Sequence, residues 1–339
     1  MTTIADVARA AGVSVSTVSY ALSGRRPISA ETRERIQAAI DELGYRPHAG
    51  ARSLASRQTR VMALAAPLRT DLYVPVIMQF VAAVATAARA HDHDVLLLMN
   101  DEGPAGLERV AGGSMVDAFV VMDVATNDPR LPVLRRLREP TVLIGLPGRA
   151  DGLSCVDLDW EAAGRLAVQH LVDHGHTAVA LVGPPPAAYE RGTTYAHRFR
   201  TGFETAAAET GIRGLAVPCE PSHDGLGASL ARVDTEQPGT TGFVVHNEPV
   251  VGTLLHALRG SGREVPHDVS VLAVGPHELA EGQAVRLTSI GIPADEIGAL
   301  AVEMVADLLA GRSPQTTLVA PRLVERDSCA HRSDSSAGV

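Results

Sequence analysis

The stretch VSVSTVSYALSG, residues 13–24, puts side chains able to hydrogen-bond or stack on the outer face of a short predicted helix. At about 100° per residue, Val18 and Leu22 fall on the inner face, whereas Ser16 and Tyr20 point outward and Val15 flanks them in the first turn. A short helix does not need a tyrosine on its outer face for its own packing. The pattern therefore indicates that this face contacts another molecule.

A second group of residues with possible chemistry is rich in histidine. His170 and His174 are spaced i, i+4 on one predicted helix, and His176 follows, which is a spacing that can hold zinc. The glutamate of the His-Glu-x-x-His motif is absent, and neither a Gly-x-Ser-x-Gly nor a Gly-x-x-x-x-Gly-Lys sequence occurs. We therefore predict that the protein is not an enzyme and has no metal site and no cofactor.

Charge is distributed unevenly along the 339 residues. The formal net charge is −9, yet residues 1–60 carry nine arginines and only five acidic residues. A basic head on a large acidic body is the charge distribution of a DNA-binding module joined to a domain with another role. Because a chain of this length exceeds one usual hydrophobic core, we expect two or three folded units.

Three features of the sequence predict in which compartment the protein is found. No apolar run approaches the roughly 18 residues that a membrane span needs, and the first residues lack the basic stretch and apolar core of a signal peptide. The three cysteines, Cys155, Cys219 and Cys329, form no Cys-x-x-Cys pair, so we expect reduced thiols. We predict a cytoplasmic protein that does not bind membranes.

Three helices are predicted in the first 44 residues. Thr3 and Asp6 can form a capping box at the start of the first, which ends at Gly12. Ser14 can cap the second helix, and the third runs over 29–43. Two short helices joined by a glycine-containing turn and braced by a third form a helix-turn-helix, although a generic three-helix cap would show the same pattern.

Three segments together resemble a known family. TIADVARAAGVSVSTVSYALSG, ISAETRERIQAAIDELGYRP and ARSLAS follow the order and spacing of the lac repressor (LacI–GalR) family of bacterial transcription regulators, and the similarity extends from residue 2 to about residue 330. The resemblance implies an α/β protein with an N-terminal all-α helix-turn-helix domain (1–47), a hinge helix (48–60) and a two-lobed, periplasmic-binding-protein-like effector domain with parallel sheets (61–330). We expect residues 331–339 to form a disordered tail.

The resemblance also implies how DNA is bound. The second helix would enter the major groove, so Val15, Ser16 and Tyr20 fall on positions that read base edges. Leu54 of the hinge would wedge into the minor groove between two half-sites of a pseudo-palindromic operator bound by a homodimer. The predicted contacts to the DNA backbone are Thr17, Arg25, Arg26 and Arg52.

From residue 61 onward, apolar strands alternate with helical stretches, which indicates parallel sheets covered on both faces. The predicted strands are VMALAAP, DVLLLMN, AFVVMDV, TVLIGLP, AVALVGPP, GFVVHN and VSVLAVG. The resemblance implies two lobes that the chain crosses between three times. We place the N-lobe at about 61–157 and 287–319, and the C-lobe at about 158–286 and 320–330.

Ligands of such sheets bind beyond the carboxyl ends of the strands, and the resemblance places a small-molecule effector in the cleft between the lobes. The predicted effector contacts are Asp71, Tyr73, Asp123, Trp160, Arg198 and Asn247. Trp160 can stack on a ligand ring or pack in the core. Near residue 275 the sequence AVGPHE lacks the acidic residues of the family's Gly-Phe-Asp-Asp turn, so an acidic contact expected of a sugar site is missing there. We expect a sugar or another small polar metabolite.

Two functions fit this pattern. The first is a repressor that binds DNA as a homodimer under the control of an effector. The alternative is a solute-binding or sensor protein of the periplasmic-binding-protein type. The predicted DNA-binding head and the missing signal peptide favour the repressor.

Overall fold

The structure, a computed structural model, describes residues 2–23, 26–45, 58–69 and 72–332. These residues form a three-helix head and two lobes, each built on a six-stranded sheet. None of the described helices is long and apolar enough to span a lipid bilayer.

The head contains α1 (Ile4–Ala11), α2 (Val15–Ser23) and α3 (Ala30–Leu43). The predicted capping box is present, because the Thr3 hydroxyl accepts from the Asp6 amide at 3.3 Å and the Asp6 carboxylate accepts from the Thr3 amide at 2.9 Å. α1 ends in a left-handed glycine, which a residue with a Cβ would adopt at a cost. Helix starts and ends in the head therefore follow from local side chains.

The core of the head is small and made of residues from all three helices and the segment after α3. Its buried side chains are Val7, Ala8, Ala11, Val18, Ile36, Ala39 and Tyr45. Leu22 was predicted on the inner face of α2, but it is 37% exposed. The prediction was wrong at this position because Leu22 lies in the last turn of α2, one turn beyond the point where Val18 enters the core.

The first lobe is built on a fully parallel sheet of order β11-β5-β4-β3-β1-β2. Its strands are β1 (Val61–Ala65), β2 (Asp94–Leu98), β3 (Ala118–Val121), β4 (Thr141–Ile144), β5 (Ser154–Leu158) and β11 (Thr316–Val319). Its helices are α4 (Val74–Ala90), α5 (Gly103–Gly112), α6 (Leu131–Leu134) and α13 (Ala294–Leu309). α4 and α13 cover one face of the sheet and α5 covers the other, so the strands are apolar on both sides.

The second lobe repeats this architecture with the order β12-β10-β9-β8-β6-β7, in which only the edge strand β12 is antiparallel. Its strands are β6 (Ala178–Gly183), β7 (Arg213–Pro218), β8 (Gly242–Val245), β9 (Ser270–Gly275), β10 (Thr288–Gly291) and β12 (Leu323–Val324). Its helices are α7 (Trp160–Asp173), α8 (Pro186–Glu190), α9 (Thr194–Thr210), α10 (His223–Glu236), α11 (Val251–Gly260) and α12 (His277–Glu281). A single 3₁₀ turn, Glu248–Val250, precedes α11.

The chain passes between the lobes after β5, after β10 and after β11. The sequence placed the second crossing before residue 287, and this boundary was wrong, because β10 pairs with β9 in the second sheet. The strand reads TSIG, which is too short and too polar to be assigned to a lobe by its pattern. The strands that flank the crossings lie at one side of each sheet, β5 and β11 in the first and β10 and β12 in the second.

Candidate functional site

The outer face of α2 carries the side chains predicted to read bases. Val15 is 45% exposed, Ser16 is exposed and Tyr20 is half-buried. The Ser14 hydroxyl accepts from the Thr17 amide at 3.1 Å and lies 2.8 Å from the hydroxyls of both Ser16 and Thr17. Three hydroxyls thus meet at the N-terminus of a helix, where the helix dipole and free amides favour a phosphate group.

A positive charge lies beside this face. The guanidinium carbon of Arg26 is 5.3 Å from the centroid of the Tyr20 ring, which is a cation–π distance. The predicted backbone contact Arg26 is therefore close to a predicted base-reading side chain. Three other predicted DNA contacts, Arg25, Arg52 and Leu54, lie outside the described residues.

A cleft opens between the two lobes at the carboxyl ends of their strands, which is where parallel sheets bind ligands. It is lined by Leu72, Tyr73, Val76, Ile77, Phe80, Met122, Asp123, Val124, Ile144, Gly145, Asp157, Trp160, Pro184, Pro185, Thr194, Tyr195, Pro221, His246, Asn247, Glu248, Pro249 and Ile292. Most of these side chains are apolar or aromatic, and three are acids. Of the predicted contacts, Tyr73, Asp123, Trp160 and Asn247 line the cleft, whereas Asp71 lies outside the described residues.

Aromatic rings form the wall of the cleft on the second lobe. Trp160, at the start of α7, is 6% exposed and stacks on His246 with centroids 5.1 Å apart and an interplanar angle of 16°. Tyr195 lies 5.6 Å from Trp160, tilted by 47°. Burial lowers the pKa of His246 to about 3, so this ring is neutral at physiological pH. Trp160 both packs in the core and presents an aromatic surface to the cleft.

Asp157 of β5 is a buried acid in the cleft. Its Oδ1 accepts from the Trp160 indole N–H at 2.8 Å, and its Oδ2 lies 3.8 Å from Nη1 of Arg198. Burial raises the pKa of Asp157 to about 7, against the opposing effects of the Trp160 hydrogen bond and the Arg198 charge. The carboxyl therefore changes charge near physiological pH.

Arg198 is not among the lining residues of the cleft. Its guanidinium lies behind Asp157 and donates to Asp159 Oδ1 at 3.3 Å. Arg200, two residues on, instead donates to Glu204 at 2.7 Å on the exposed side of α9. Arg198, predicted as an effector contact, is thus an ion-pair partner of Asp157 and Asp159 and does not line the cleft, because its side chain turns toward these two acids.

Asp123 stands two residues beyond β3 with a φ of 54°, in the left-handed region that a non-glycine residue adopts at a cost. The Arg130 guanidinium fixes this turn by donating to the carbonyls of Met122 at 3.0 Å and Asp123 at 2.8 Å. The Asp123 side chain is 4% exposed and pairs with Arg69, and Arg191 lies 4.0 Å from it. An acid held this way between two arginines is oriented toward the cleft before any ligand arrives.

Asn247, which lines the cleft, also joins three segments of the second lobe. Its side-chain amide donates to the carbonyls of Gly183 at 3.0 Å and Cys219 at 2.8 Å. Both N–H groups are used to tie the ends of β6 and β7 to the loop after β8. Only its carbonyl oxygen is left to meet a ligand in the cleft.

Glu248 was not singled out from the sequence, yet its carboxyl lines the cleft. A Cβ built on Gly275 would lie 3.0 Å from its side chain, so Glu248 packs against the end of β9. The end of β9 is the place where the sequence AVGPHE lacks the acid that the family resemblance led us to expect. Burial raises the pKa of Glu248 to about 7. Glu248, from the loop after β8, therefore supplies an acid at this end of β9. Its position next to Asn247 is the feature of the sequence that could have identified it as a cleft residue.

Family models match two parts of the chain. Residues 3–48 match bacterial regulatory proteins of the lacI family, and residues 168–329 match the periplasmic binding protein-like domain. Catabolite control protein A of Priestia megaterium is 26% identical over 324 residues, covering 94% of this chain and 95% of that protein. The ribose operon repressor of Escherichia coli strain K12 is 29% identical over 343 residues, covering 97% of this chain and 100% of the repressor.

Solved structures agree with these matches. The transcriptional regulator CelR in complex with cellobiose is 25% identical, with a TM-score of 0.69, over 97% of this chain and 100% of CelR. The lac repressor dimer bound to operator and the anti-inducer ONPF has a TM-score of 0.83 over 97% of this chain and 99% of the repressor chain. At 23% identity, the second likeness shows a shared fold from the head to both lobes.

Proposed function

Because this chain belongs to the lacI family of bacterial regulatory proteins, we propose that it is a sequence-specific transcriptional repressor whose operator affinity is set by a small effector in the cleft. One observation carries this function. A three-helix head with an exposed Val15, Ser16 and Tyr20 face is joined in one chain to two lobes that enclose a lined cleft. The head supplies the contact to DNA, and the lobes supply the control.

The proposed DNA interface is the outer face of α2. Val15 suits a thymine methyl group, whereas Ser16 and Tyr20 suit hydrogen bonds and stacking at base edges. Thr17 and Arg26 would contact phosphates, the first from the helix N-terminus and the second through its charge. Arg25, Arg52 and the Leu54 wedge belong to the same proposal on the strength of the family resemblance.

For the effector, we propose a hydroxylated molecule with an apolar face, such as a sugar. The C–H face of a sugar packs on aromatic rings, and the stacked Trp160 and His246 provide such a surface. Asp123, Asp157 and Glu248 provide carboxyl oxygens that accept hydrogen bonds from hydroxyl groups. The cellobiose complex of CelR is an example of a sugar bound by a related regulator.

The proposed domain division follows the resemblance with the corrected crossing: head 1–47, hinge 48–60, effector domain 61–332 and tail 333–339. The tail was predicted to begin at residue 331, but His331 and Arg332 contact His174 of the second lobe. We also propose that the chain binds a pseudo-palindromic operator as a homodimer in the cytoplasm; the lac repressor of similar fold is a dimer in its operator complex. The named relatives are transcriptional regulators, and we assign no catalytic residue. A solute-binding protein, the alternative, would leave the head and its exposed α2 face without a role.

Two screens would identify the operator and the effector. Selection from random duplexes with the full chain should yield a pseudo-palindromic site, because a dimer reads two half-sites. Thermal-shift measurements with sugars, polyols, nucleosides and small acids should find a ligand that raises Tm, since binding to the folded state stabilises it. Selected DNA without any common sequence would contradict the proposed function.

A further inference from the structure

Two histidines and a glutamate converge at the end of α7 that faces away from the cleft. His170 lies in the last turn of α7, His174 caps it, and Glu325 follows β12 directly. Their ligand atoms, one from each side chain, all lie within 4.8 Å of one another. Residues 150 positions apart are thus brought together by the third crossing of the chain.

The hydrogen bonding sets which nitrogen of His174 is free. Its Nδ1 lies 2.7 Å from the backbone carbonyl of His170, so Nδ1 carries the proton and Nε2 carries a lone pair when the ring is neutral. Nε2 faces Glu325 Oε1 at 3.5 Å. A carbonyl that orients one imidazole nitrogen while the other faces outward is the usual outer-shell arrangement of a metal-binding histidine.

The ring of His170 lies against the ring of His174, with centroids 4.2 Å apart and an interplanar angle of 43°. Its Nε2 is buried and makes no hydrogen bond with any part of the chain that the structure describes. Burial lowers the pKa of His170, and the neighbouring His174 charge acts in the same direction. An ion pair between a protonated His174 and Glu325 would still leave this nitrogen unsatisfied, at a cost of about 1 to 3 kcal/mol.

The sequence motifs predicted no metal site here, but they did not include Glu325. We propose that His170 Nε2, His174 Nε2 and the Glu325 carboxylate bind one Zn²⁺ ion, with water completing a tetrahedral site. Two neutral imidazoles and one carboxylate are a ligand set that zinc favours. Bonds of about 2.0 to 2.2 Å require the ligand atoms to move closer than they are now. Glu325 is able to make this movement, because its side chain is 64% exposed.

The ion would tie the C-terminal segment to the second lobe. This segment already packs on the same helix end, where the Arg332 amide donates to the His174 carbonyl at 2.8 Å. His331 stacks on His174 with centroids 4.4 Å apart, which covers a face of that ring while its nitrogens point to the His170 carbonyl and to Glu325. A metal bond between α7 and Glu325 therefore adds stability to the lobe. This proposal concerns a site distinct from the effector cleft.

The test uses the full chain without a histidine tag, stripped with a chelator and titrated with Zn²⁺ at pH 7.5 by calorimetry. We expect one tight site, at least a tenfold weaker site in Glu325→Gln, and none in the double variant His170→Gln/Glu325→Gln. His256→Gln and Glu303→Gln, two exposed residues of the same types elsewhere, should bind zinc as the unchanged chain does. Operator binding shows that each variant is folded.

Two further measurements complete the test. Zinc should raise the Tm of the unchanged chain and not that of the double variant, and Co²⁺ should give the absorption bands of a tetrahedral site. Equal zinc affinity in the unchanged chain and the double variant would overturn the proposal. Zinc affinity in Glu325→Gln equal to that of the unchanged chain would show that Glu325 is not a ligand, and this would overturn the proposal as well.

Discussion

Tyr20 is the largest side chain on the outer face of α2, and its ring lies beside the guanidinium of Arg26. Replacing Tyr20 with an uncharged residue leaves this arginine in place. We predict that Tyr20→Ala changes which operator is selected from random DNA. Loss of a base contact costs about 1 to 3 kcal/mol at the preferred site, whereas phosphate contacts maintain non-specific, salt-sensitive binding. Site selection and binding isotherms at two salt concentrations measure both effects.

Gln37→Ala is the matched control for Tyr20→Ala. Gln37 is exposed on α3, in the same small domain, and pairs only with Asp41 of its own helix in the described contacts. This variant should select the same operator as the unchanged chain. An unchanged sequence preference in Tyr20→Ala would show that α2 does not read bases through this residue.

Protonation of Glu248 in the cleft should make the free energy of unfolding depend on pH. Because burial raises its pKa from an ordinary 4.5 to about 7, the folded protein holds an extra proton between these values. Its contribution to stability therefore falls as pH rises through this window, and the full cost remains above pH 7. We predict that Glu248→Gln is more stable than the unchanged chain at pH 8, by roughly 1 to 3 kcal/mol, and similar to it at pH 4.5.

Urea unfolding at pH 4.5 and pH 8 tests the Glu248 prediction. Asp157 also titrates with a raised pKa in the same cleft, so only the difference between variant and unchanged chain is diagnostic. Glu303→Gln, at an exposed position, should show the same difference from the unchanged chain at both pH values. A Glu248→Gln effect that does not change with pH would contradict a buried, protonated Glu248.

The cleft shows which site residues a sequence can predict. The family resemblance placed Tyr73, Asp123 and Trp160 in the cleft, and they line it in segments that follow β1, β3 and β5 at the carboxyl end of the first sheet. Arg198 and Glu248 could not be assigned this way. Arg198 sits on a helix, and its long side chain turns to Asp157 and Asp159, whereas Glu248 reaches the end of another strand through its loop. Side-chain direction depends on packing between elements.

Among the elements, α7 and α9 are packed closely through two glycines. A Cβ on Gly164 of α7 would collide with the backbone of Phe199 and Phe203, and one on Gly202 of α9 would collide with the Glu161 carbonyl. Backbone atoms cannot move aside as side chains do. We predict that Gly164→Ala lowers the free energy of unfolding by at least about 2 kcal/mol, measured by urea denaturation.

Gly227 provides the matched control for Gly164. It lies on the exposed side of α10, and a Cβ there would meet nothing within 4 Å. Alanine should stabilise this helix by about 0.5 to 1 kcal/mol, because glycine loses more backbone entropy on folding. If Gly164→Ala is as well tolerated as Gly227→Ala, the two helices are not in the close contact described.

The fold was largely predictable at the level of elements. All seven predicted strands are present, because each is a continuous apolar run between turn signals, and the helix caps at Thr3, Ser14 and Ser29 follow local chemistry. The five strands β5, β7, β10, β11 and β12 were not predicted. They contain polar residues or are very short, so the apolar pattern alone could not place them.

In the whole molecule, the two lobes are joined by backbone hydrogen bonds as well as by the three chain crossings. The loop after β3 contacts the segment before α9, where the Thr194 amide donates to Val124 O at 3.0 Å and the Thr126 amide donates to Gly192 O at 2.9 Å. A ligand that touches residues of both lobes changes the relative free energy of their arrangements. Control of DNA binding therefore requires only that the head prefers one arrangement.

Operator affinity with and without effector tests this account most directly. For the full chain, we predict binding to the selected operator at least 100-fold tighter than to a shuffled duplex, and at least a fivefold change on adding the ligand from the Tm screen. Tyr73→Ala, which alters the cleft wall but not the head, should keep the operator affinity and lose the response to the ligand. Equal affinity for both duplexes, or saturation with ligand that leaves operator affinity unchanged, would contradict the account.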